Sequence, residues 1–533
     1  MGSKTIKGLV SAGVSAVLLW CAYPPVGLPF IVFVALVPLF ICSRRLKPLQ
    51  STLVWGLAGL AFWMMNLFWF VTLRNYAIGW RFVLTGWLLG SIVRALFFAA
   101  FGFVSALLSK SLERGGFRWA KWLALLLAAP FLWTGLEWLR SLMPVIECTY
   151  LGTALCQIPV LSAPARWGGE IMLGSLAVMV NGAFALAIEN IGALRIKGIS
   201  VKSLWGAFFE VFVVCCFVSL IFVAANISVP EGETVTKKFV LVQRNAPLPK
   251  PMQKLAEEGF DFEGYYKDLL KNHDLTGVDF IVLGESSLRE FGKDVRGDGA
   301  WKITEMLSDM ADGATVVAGG TSYTPSSRGR HIQTAAALYE FPRNQRDKDP
   351  SVYVKRNLVP FAEYNPLAKW FPSLRTASFY VETPGTSLGM FRSRNIKLSP
   401  LICSDCFVSE YARDAASCGA QLLVLISNNL WYAPSSEPLQ HFWQAVARSV
   451  ETGLPLVTAG NAGVTGVVNL DRSADYLKDE DGRALQCAPG VFVQNVDVPK
   501  NYKETPYVRF GDAPLVGLFL LSIASIIIIK TWE

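Results

Sequence analysis

Three residues of this chain stand where an apolar run gives way to polar sequence. They are Glu285 after Phe280-Ile-Val-Leu-Gly, Lys355 after Ser351-Val-Tyr-Val, and Cys403 after Ile396-Lys-Leu-Ser-Pro-Leu-Ile. In layered α/β sheets, strand ends are where chemistry is assembled, on loops held by a rigid scaffold. The three residue types complement one another. A carboxylate can take a thiol proton as general base, a lysine can lower the thiol pKa and hold a developing oxyanion, and a cysteine can carry a covalent acyl group. Alone, each is ordinary: a loop Glu is usually solvated, a Lys usually sits on the surface, and a free Cys is usually a small buried hydrophobe. The combination points to a nucleophilic site because each of the three closes an apolar run.

The cysteine has the most informative surroundings. The run ending at Ile402 reads as a buried strand, Ser404-Asp405 breaks it, and a helical pattern begins at about Ser409. Cys403 is therefore expected at a strand-to-helix elbow, which lifts one side chain toward solvent. The first N–H groups of the helix beyond it are expected to favour a thiolate there. Cys403-Ser-Asp-Cys406 also has redox-pair spacing, but no thioredoxin-like unit accompanies it.

The elements that position these residues occupy only part of the chain. Of 533 residues, 52% are hydrophobic and 17% charged, against roughly 25% charged for soluble domains, and the mean hydropathy is +0.38. The excess lies before about residue 225 and after about residue 514. Such a chain is a membrane protein carrying one globular domain. Apolar stretches near the roughly 20 residues of a bilayer-spanning helix fall at 7–23, 28–43, 52–73, 82–109, 121–139, 169–192, 206–228 and 513–530. This gives a transmembrane region at 1–228 with about seven spans, a linker at 229–236, a catalytic domain at 237–500 and a last span at 513–530.

Charge gives orientation. Lys4 and Lys7, then Arg44, Arg45 and Lys47, then Lys110, Arg114, Arg118 and Lys121, then Arg195, Lys197 and Lys202 share one side if each stretch crosses once. Lys/Arg excess marks the cytoplasm, so both termini are expected there and the middle domain outside. The net charge of +8 is explained by these loops, and nucleic acid is not an expected partner. Ten cysteines are scattered without zinc-like spacing and only three histidines are present, so no metal or other cofactor is expected. Glu137 and Arg140, at the end of one span, can pair, meet a lipid head group or act as an interfacial anchor.

In the middle domain, strand and helix patterns alternate. Strands are expected at Phe239–Gln243, Phe280–Leu283, from Thr315, at Leu422–Ile426, from Leu456, at Val464–Leu470 and at Val491–Val496. Helices are expected around Phe262–Leu270, Ala300–Met310 and Pro438–Thr452, with a hairpin joining Ala335–Glu340 to Ser351–Lys355. The pattern is that of an α/β sandwich with helices outside.

At these residues the sequence resembles the nitrilase, or carbon–nitrogen hydrolase, superfamily, and within it the membrane branch, the apolipoprotein N-acyltransferases. The matching words are Leu283-Gly-Glu285-Ser-Ser, Tyr353-Val-Lys355-Arg-Asn-Leu-Val-Pro-Phe-Ala-Glu363-Tyr and Ile402-Cys403-Ser-Asp405. Further on come Ile426-Ser-Asn428-Asn-Leu-Trp431-Tyr432, Gln440-His441-Phe and Asn461-Ala-Gly463. Ala22-Tyr-Pro-Pro-Val-Gly-Leu-Pro and Glu137-Trp-Leu-Arg match in the apolar half.

The resemblance implies an αββα nitrilase-like domain beside the helical membrane domain, facing the periplasm from a bacterial inner membrane. It implies that Cys403, activated by Glu285, takes an acyl chain from a phospholipid, with the oxyanion held by Lys355. The chain would then pass to the α-amine of a diacylglyceryl-cysteine on an apolipoprotein. Glu363 and Asp405 would assist, and Trp370, Phe371, Asn428, Trp431 and Tyr432 would contact substrate, the aromatic ones as lids dipping into lipid. The sequence departs from the family at Gly284, where Pro is usual, at Ser404, where an aromatic is usual, and at Asp405, where the acyltransferases favour Glu. Gly284 and Ser404 are expected to loosen the packing around the site. One alternative keeps the three residues but makes water the acceptor, a membrane-tethered amidase; another, which the Gly284 and Ser404 departures permit, is a weakly active lipoprotein-binding module.

Overall fold

The structure, a computed structural model, describes residues 3–44, 46–76, 79–114, 123–143, 149–197, 201–227, 232–246, 261–288, 290–291, 300–326, 329–341, 349–371 and 382–531. It divides into two compact units. One holds the helices before residue 229 with the C-terminal helix, and the other is Pro230–Arg509.

The first unit is helical. Its helices are α1 (Ser3–Cys21), α2 (Val37–Ser43), α3 (Pro48–Asn66), α4 (Trp80–Arg114), α5 (Ala129–Ser141), α6 (Ala165–Lys197) and α7 (Val201–Ile227). Proline sits in the first turn of α2, α3 and α5, where its missing N–H costs nothing. Among the described residues two helices are long and apolar enough to cross a membrane, and three if α3 and the 44° bent turn after it form one span. The unit is built on polar pins as well as apolar packing. Glu137 and Arg140 lie 3.7 Å apart and both are buried. They face protein backbone, so they are not an interfacial anchor: Glu137 accepts the Leu151 N–H (2.8 Å) and Arg140 donates to the Thr149 carbonyl (2.9 Å). They hold a 3₁₀ turn, Leu151–Gln157, for which the sequence pattern gives no signal. Thr153 of that turn donates to Glu170 on α6, and Gly152 packs so close to the Glu170 carbonyl that no side chain fits. Gly169 allows α6 to break there, since its φ of 70° and ψ of 178° belong almost solely to glycine.

The second unit is an α/β sandwich. Its strands are β1 (Thr234–Gln243), β2 (Phe280–Leu283), β3 (Glu290–Phe291), β4 (Thr315–Ser326), β5 (Gly329–Tyr339), β6 (Ser351–Val354), β7 (Phe391–Ser393), β8 (Ile396–Ile402), β9 (Leu422–Ser427), β10 (Leu456–Gly460), β11 (Gly466–Val468), β12 (Ala474–Tyr476) and β13 (Gly490–Pro499). One sheet runs β13-β1-β2-β4-β5-β6 with β3 beside β4, and the other runs β12-β11-β10-β9-β8-β7. Each has a parallel trio, β1-β2-β4 and β8-β9-β10. The crossovers carry α8 (Phe262–Leu270) and α9 (Ala300–Met310) on the first sheet, and α10 (Ser409–Ser417) and α11 (Glu437–Thr452) on the second. The chain then ends in α12 (Ala513–Thr531), which returns to the helical unit.

The period of two along each strand sorts the layers. Phe239, Leu241, Phe280 and Val282 face the other sheet's Leu398, Ile402, Val424 and Ile426. Val240, Val242, Ile281 and Leu283 pack instead under Tyr266, Leu270, Ile303 and Leu307 of α8 and α9. The expected αββα arrangement is therefore present. β4 and β5 form a far longer hairpin than the sequence pattern implies, paired from Val316–Tyr339 out to Ser326–Gly329. Its outer half, Thr321-Ser-Tyr-Thr-Pro, is polar and lacks alternation, so it gave no strand signal. Of the hairpin tip expected at Pro342–Asp349, residues 342–348 lie outside the described residues.

Candidate active site

Parallel strands bring their carboxyl ends to one edge. Glu285 follows β2, Cys403 follows β8 and Asn428 follows β9. Lys355 reaches the same edge because β6 is antiparallel to β5, which is antiparallel to β4, so β6 runs the way β2 and β4 do. Gly319 of β4 packs directly on the Glu285 backbone, with no room for a side chain between them.

Lys355 is the hub. Its side chain is buried, and Nζ lies 3.5 Å from Glu285 Oε1 and 2.6 Å from Glu363 Oε1. Burial opposes its charge, but Glu285 and Glu363 outweigh that and hold the ammonium well above its ordinary pKa. Burial pushes the Glu285 carboxyl up, against the pull of Lys355 and of the Asn428 backbone N–H. The second oxygen of Glu363 accepts the Val359 N–H (2.7 Å), which closes the loop after Lys355 on itself. A third carboxylate, unforeseen from the sequence, stands beside these two. Glu382 accepts the Thr334 N–H (3.2 Å) and hydroxyl (2.9 Å), and burial with the nearby Glu363 raises it to about 7.

Cys403 occupies the left-handed region, with φ at 48°, as an elbow residue must when the chain reverses from strand to turn. The chain continues as a short 3₁₀ turn, Cys403–Phe407, before α10 starts at Ser409. The expected thiolate is not its resting state. Burial and the neighbouring Glu285 raise the thiol well above its usual value, and Lys355 only partly opposes them. The site rests as a thiol with Glu285 beside it. Cys403 and Cys406 are not joined by a disulfide.

Asp405 ties two loops together. It accepts the Ile402 N–H (3.0 Å) at the elbow, and the Tyr353 hydroxyl (2.9 Å), the Arg356 N–H (3.1 Å) and the Asn357 N–H (2.7 Å) from the lysine side. Asp405→Ala leaves several buried donors unmatched, each at about 1–3 kcal/mol. The variant is expected to lose about 3 kcal/mol or more of stability, read as a lowered urea midpoint.

Ser404 and Gly284 do not loosen the site as expected. The Ser404 hydroxyl donates to the Asn357 carbonyl, and the Asn357 amide donates back to the Ser404 carbonyl at 2.8 Å. A side-chain carbon at Gly284 would stand 3.0 Å from the Asn461 nitrogen and 3.2 Å from the Ser427 oxygen. Gly284 thus fits a close approach of the two sheets.

The residues named for substrate contact divide. Asn428 is buried and meets Glu285 through its backbone. Trp431 and Tyr432 are half-buried around the 3₁₀ turn Asn429–Trp431. Trp370 and Phe371 are 69% and 58% exposed. His441 of α11 was legible only as part of a sequence word. It bonds the Cys403 carbonyl oxygen through Nε2 at 3.1 Å. Among the described residues, no group of three or more His, Cys, Asp or Glu side chains could hold a metal ion.

Comparison with known proteins agrees along the chain. The sequence model of the apolipoprotein N-acyltransferase N-terminal domain matches residues 15–183, and that of carbon–nitrogen hydrolase matches residues 261–487. An apolipoprotein N-acyltransferase of Geobacter metallireducens is 24% identical, over 95% of this chain and 92% of its own. One of Caulobacter vibrioides is 26% identical, over 96% and 92%. Among solved structures, a mutant amidase of the nitrilase superfamily from Nesterenkonia is 20% identical, covering 54% of this chain and 98% of its own, with a TM-score of 0.33. With both domains matched in order and relatives aligned nearly end to end, the chain is similar to the apolipoprotein N-acyltransferases along almost its whole length.

Proposed function

We propose that this enzyme moves a fatty acyl chain from a membrane phospholipid, through a thioester on Cys403, to the α-amine of the diacylglyceryl-cysteine that begins an apolipoprotein. The observation that carries the reading is one buried lysine, bonded to Glu285 and Glu363, at the sheet edge where the Cys403 elbow also ends.

Glu285 takes the thiol proton as sulfur attacks the ester carbonyl. The new C–S bond places negative charge on oxygen, which the Lys355 ammonium and a backbone N–H accept. The ester C–O bond then breaks, and the lysophospholipid leaves with the proton from Glu285. The acceptor amine attacks the thioester next, gives its proton to Glu285, and expels the cysteine as a thiol. Lys355 keeps its charge while Glu285 carries the proton because Glu363, 2.6 Å away, and the developing oxyanion still face it. Glu363 keeps Lys355 in place, and Asp405 keeps the two loops in register. Asn428, Trp431 and Tyr432 bound the acyl pocket, and Trp370 and Phe371 reach toward lipid.

Both substrates keep acyl chains in the bilayer, so a membrane-embedded enzyme meets them without extracting either. About seven spans precede the catalytic unit and one comes after it, in a bacterial inner membrane. The basic loops support a periplasmic catalytic face with both termini cytoplasmic. Purified protein given a phospholipid with a tagged acyl chain is expected to transfer the tag to a synthetic diacylated lipopeptide. Release of the tag as free fatty acid, with none on the peptide, would make water the acceptor and the protein a hydrolase.

A further inference from the structure

The elbow that carries Cys403 is held from behind by a chain of hydrogen bonds that the acyl-transfer mechanism does not use. His441 Nε2 lies 3.1 Å from the Cys403 carbonyl oxygen, and His441 Nδ1 lies 2.8 Å from Asn429 Nδ2. The roles can be assigned. Asn429 Oδ1 accepts the Ser427 hydroxyl at 2.8 Å, which orients the amide so that Nδ2 points at the ring. Asn429 Nδ2 also donates to Glu437 Oε2 at 3.0 Å. An amide nitrogen has only donors to offer, so His441 Nδ1 accepts and Nε2 carries the hydrogen, given to the Cys403 carbonyl. The Asn429 side chain is itself wedged against Gly463, where any side chain would displace it. The Phe407 ring packs on the imidazole at 4.9 Å.

We propose that His441, fixed as its Nε2–H tautomer by Asn429 and Glu437, is a positioning residue for the nucleophile. It anchors the Cys403 carbonyl and so holds the left-handed elbow that aims the thiol. A non-glycine residue at φ 48° is strained and persists only where its surroundings fix it. Released, the Cys403 peptide would relax and carry the sulfur out of line with Glu285 and Lys355.

The charged neighbours agree with a neutral ring. Burial drives the imidazole down to about 4, with Lys355 as the cation facing it. Glu437, the acid on its own helix, is raised to about 8 by burial and so is uncharged at neutral pH. A protonated ring would present Nδ1–H to the Asn429 N–H and break the relay.

The inference rests on Cys403 being the nucleophile, and its test uses a readout that needs no lipid. His441→Phe, His441→Gln and Asn429→Ala are compared with wild type in two assays. One is the rate of Cys403 alkylation by iodoacetamide, tracked by peptide mass. The other is single-turnover thioester formation at varied tagged phospholipid. His441→Phe is expected to slow thioester formation at saturation by about 30-fold or more, with half-saturation within about threefold, and to change the alkylation rate. The amide nitrogen of Gln can reach the Cys403 carbonyl, so His441→Gln should recover to within about fivefold.

Wild-type rates in a folded His441→Phe, or equal impairment of Phe and Gln variants, would overturn the proposal. If His441→Phe does not fold, Asn429→Ala decides, since it keeps the ring and removes the group that orients it; unchanged rates there overturn the proposal equally. Normal alkylation with no thioester in any protein, wild type included, would count against the acyltransfer reading and not against this one.

Discussion

Cys403→Ala is expected to abolish the acyl adduct and lower acyl transfer by at least about 10⁴-fold, the scale on which loss of a covalent nucleophile acts. The measurement is intact mass and peptide mapping after incubation with a phospholipid carrying a tagged acyl chain. Wild-type protein should gain one chain on Cys403, removable by hydroxylamine, and Cys403→Ser should show no thioester. The half-buried side chain packs against the core between the sheets and the substitution removes only its sulfur, so the alanine variant should keep its melting midpoint within a few degrees. A folded Cys403→Ala protein that still transfers acyl chains would place the nucleophile elsewhere.

Lys355→Met is expected to damage both rate and stability. It removes the cation from between Glu285 and Glu363, and breaking a buried ion pair from one side costs about 3–5 kcal/mol. Loss of an oxyanion donor lowers turnover by about 10²–10³-fold, and misplacement of Glu285 adds to this. The pH dependence comes from Glu285, whose raised carboxyl is held down in part by Lys355. Without the lysine it rises further. A carboxyl raised above its unfolded value gives stability that is fully present below the unfolded pKa and lost as pH rises through the folded one. The variant should therefore lie further below wild type at pH 8 than at pH 5, and the acid limb of any residual activity should move to higher pH. Lys355→Arg keeps a charge but not a compact ammonium, so it should recover stability more than rate. Equal stability of Lys355→Met and wild type across that range would contradict the hub geometry.

The strand ends bearing Glu285, Lys355 and Cys403 were legible because each apolar run stops at a residue whose chemistry is out of place in a core. The sandwich was legible in the alternation of strand and helix patterns along the middle of the chain. Glu382 was not legible. It reaches Thr334 through a bridge between Ile332 and Glu382 on an unpredicted part of the β4–β5 hairpin, and polar strands give no periodic signal. The Asp405 clamp was invisible because its donors come from loops nearly fifty positions apart. The thiolate expectation failed because burial and the neighbouring Glu285 push the thiol up while Lys355 only partly opposes them. The loosening read from Gly284 and Ser404 failed because sequence gives residue size but not the gap to be filled.

The turn pinned between α5 and α6 bears on how the chain enters a membrane. Charged side chains at the centre of an inserting helix cost about 2.5–3.5 kcal/mol each, and this stretch carries Glu137 and Arg140 on α5 and Arg166 and Glu170 on α6, all four buried. Glu137 and Arg140 are matched by backbone groups of Thr149 and Leu151, and Glu170 by Thr153, segments that leave the ribosome after α5 and before α6 is complete. These partners are consecutive in the chain. Biogenesis can therefore deliver α5, the turn and α6 to the bilayer as one helical hairpin in which Glu137, Arg140 and Glu170 already have partners. A nascent chain truncated before Thr149 would hold α5 without its partners, and its integration should be correspondingly poor.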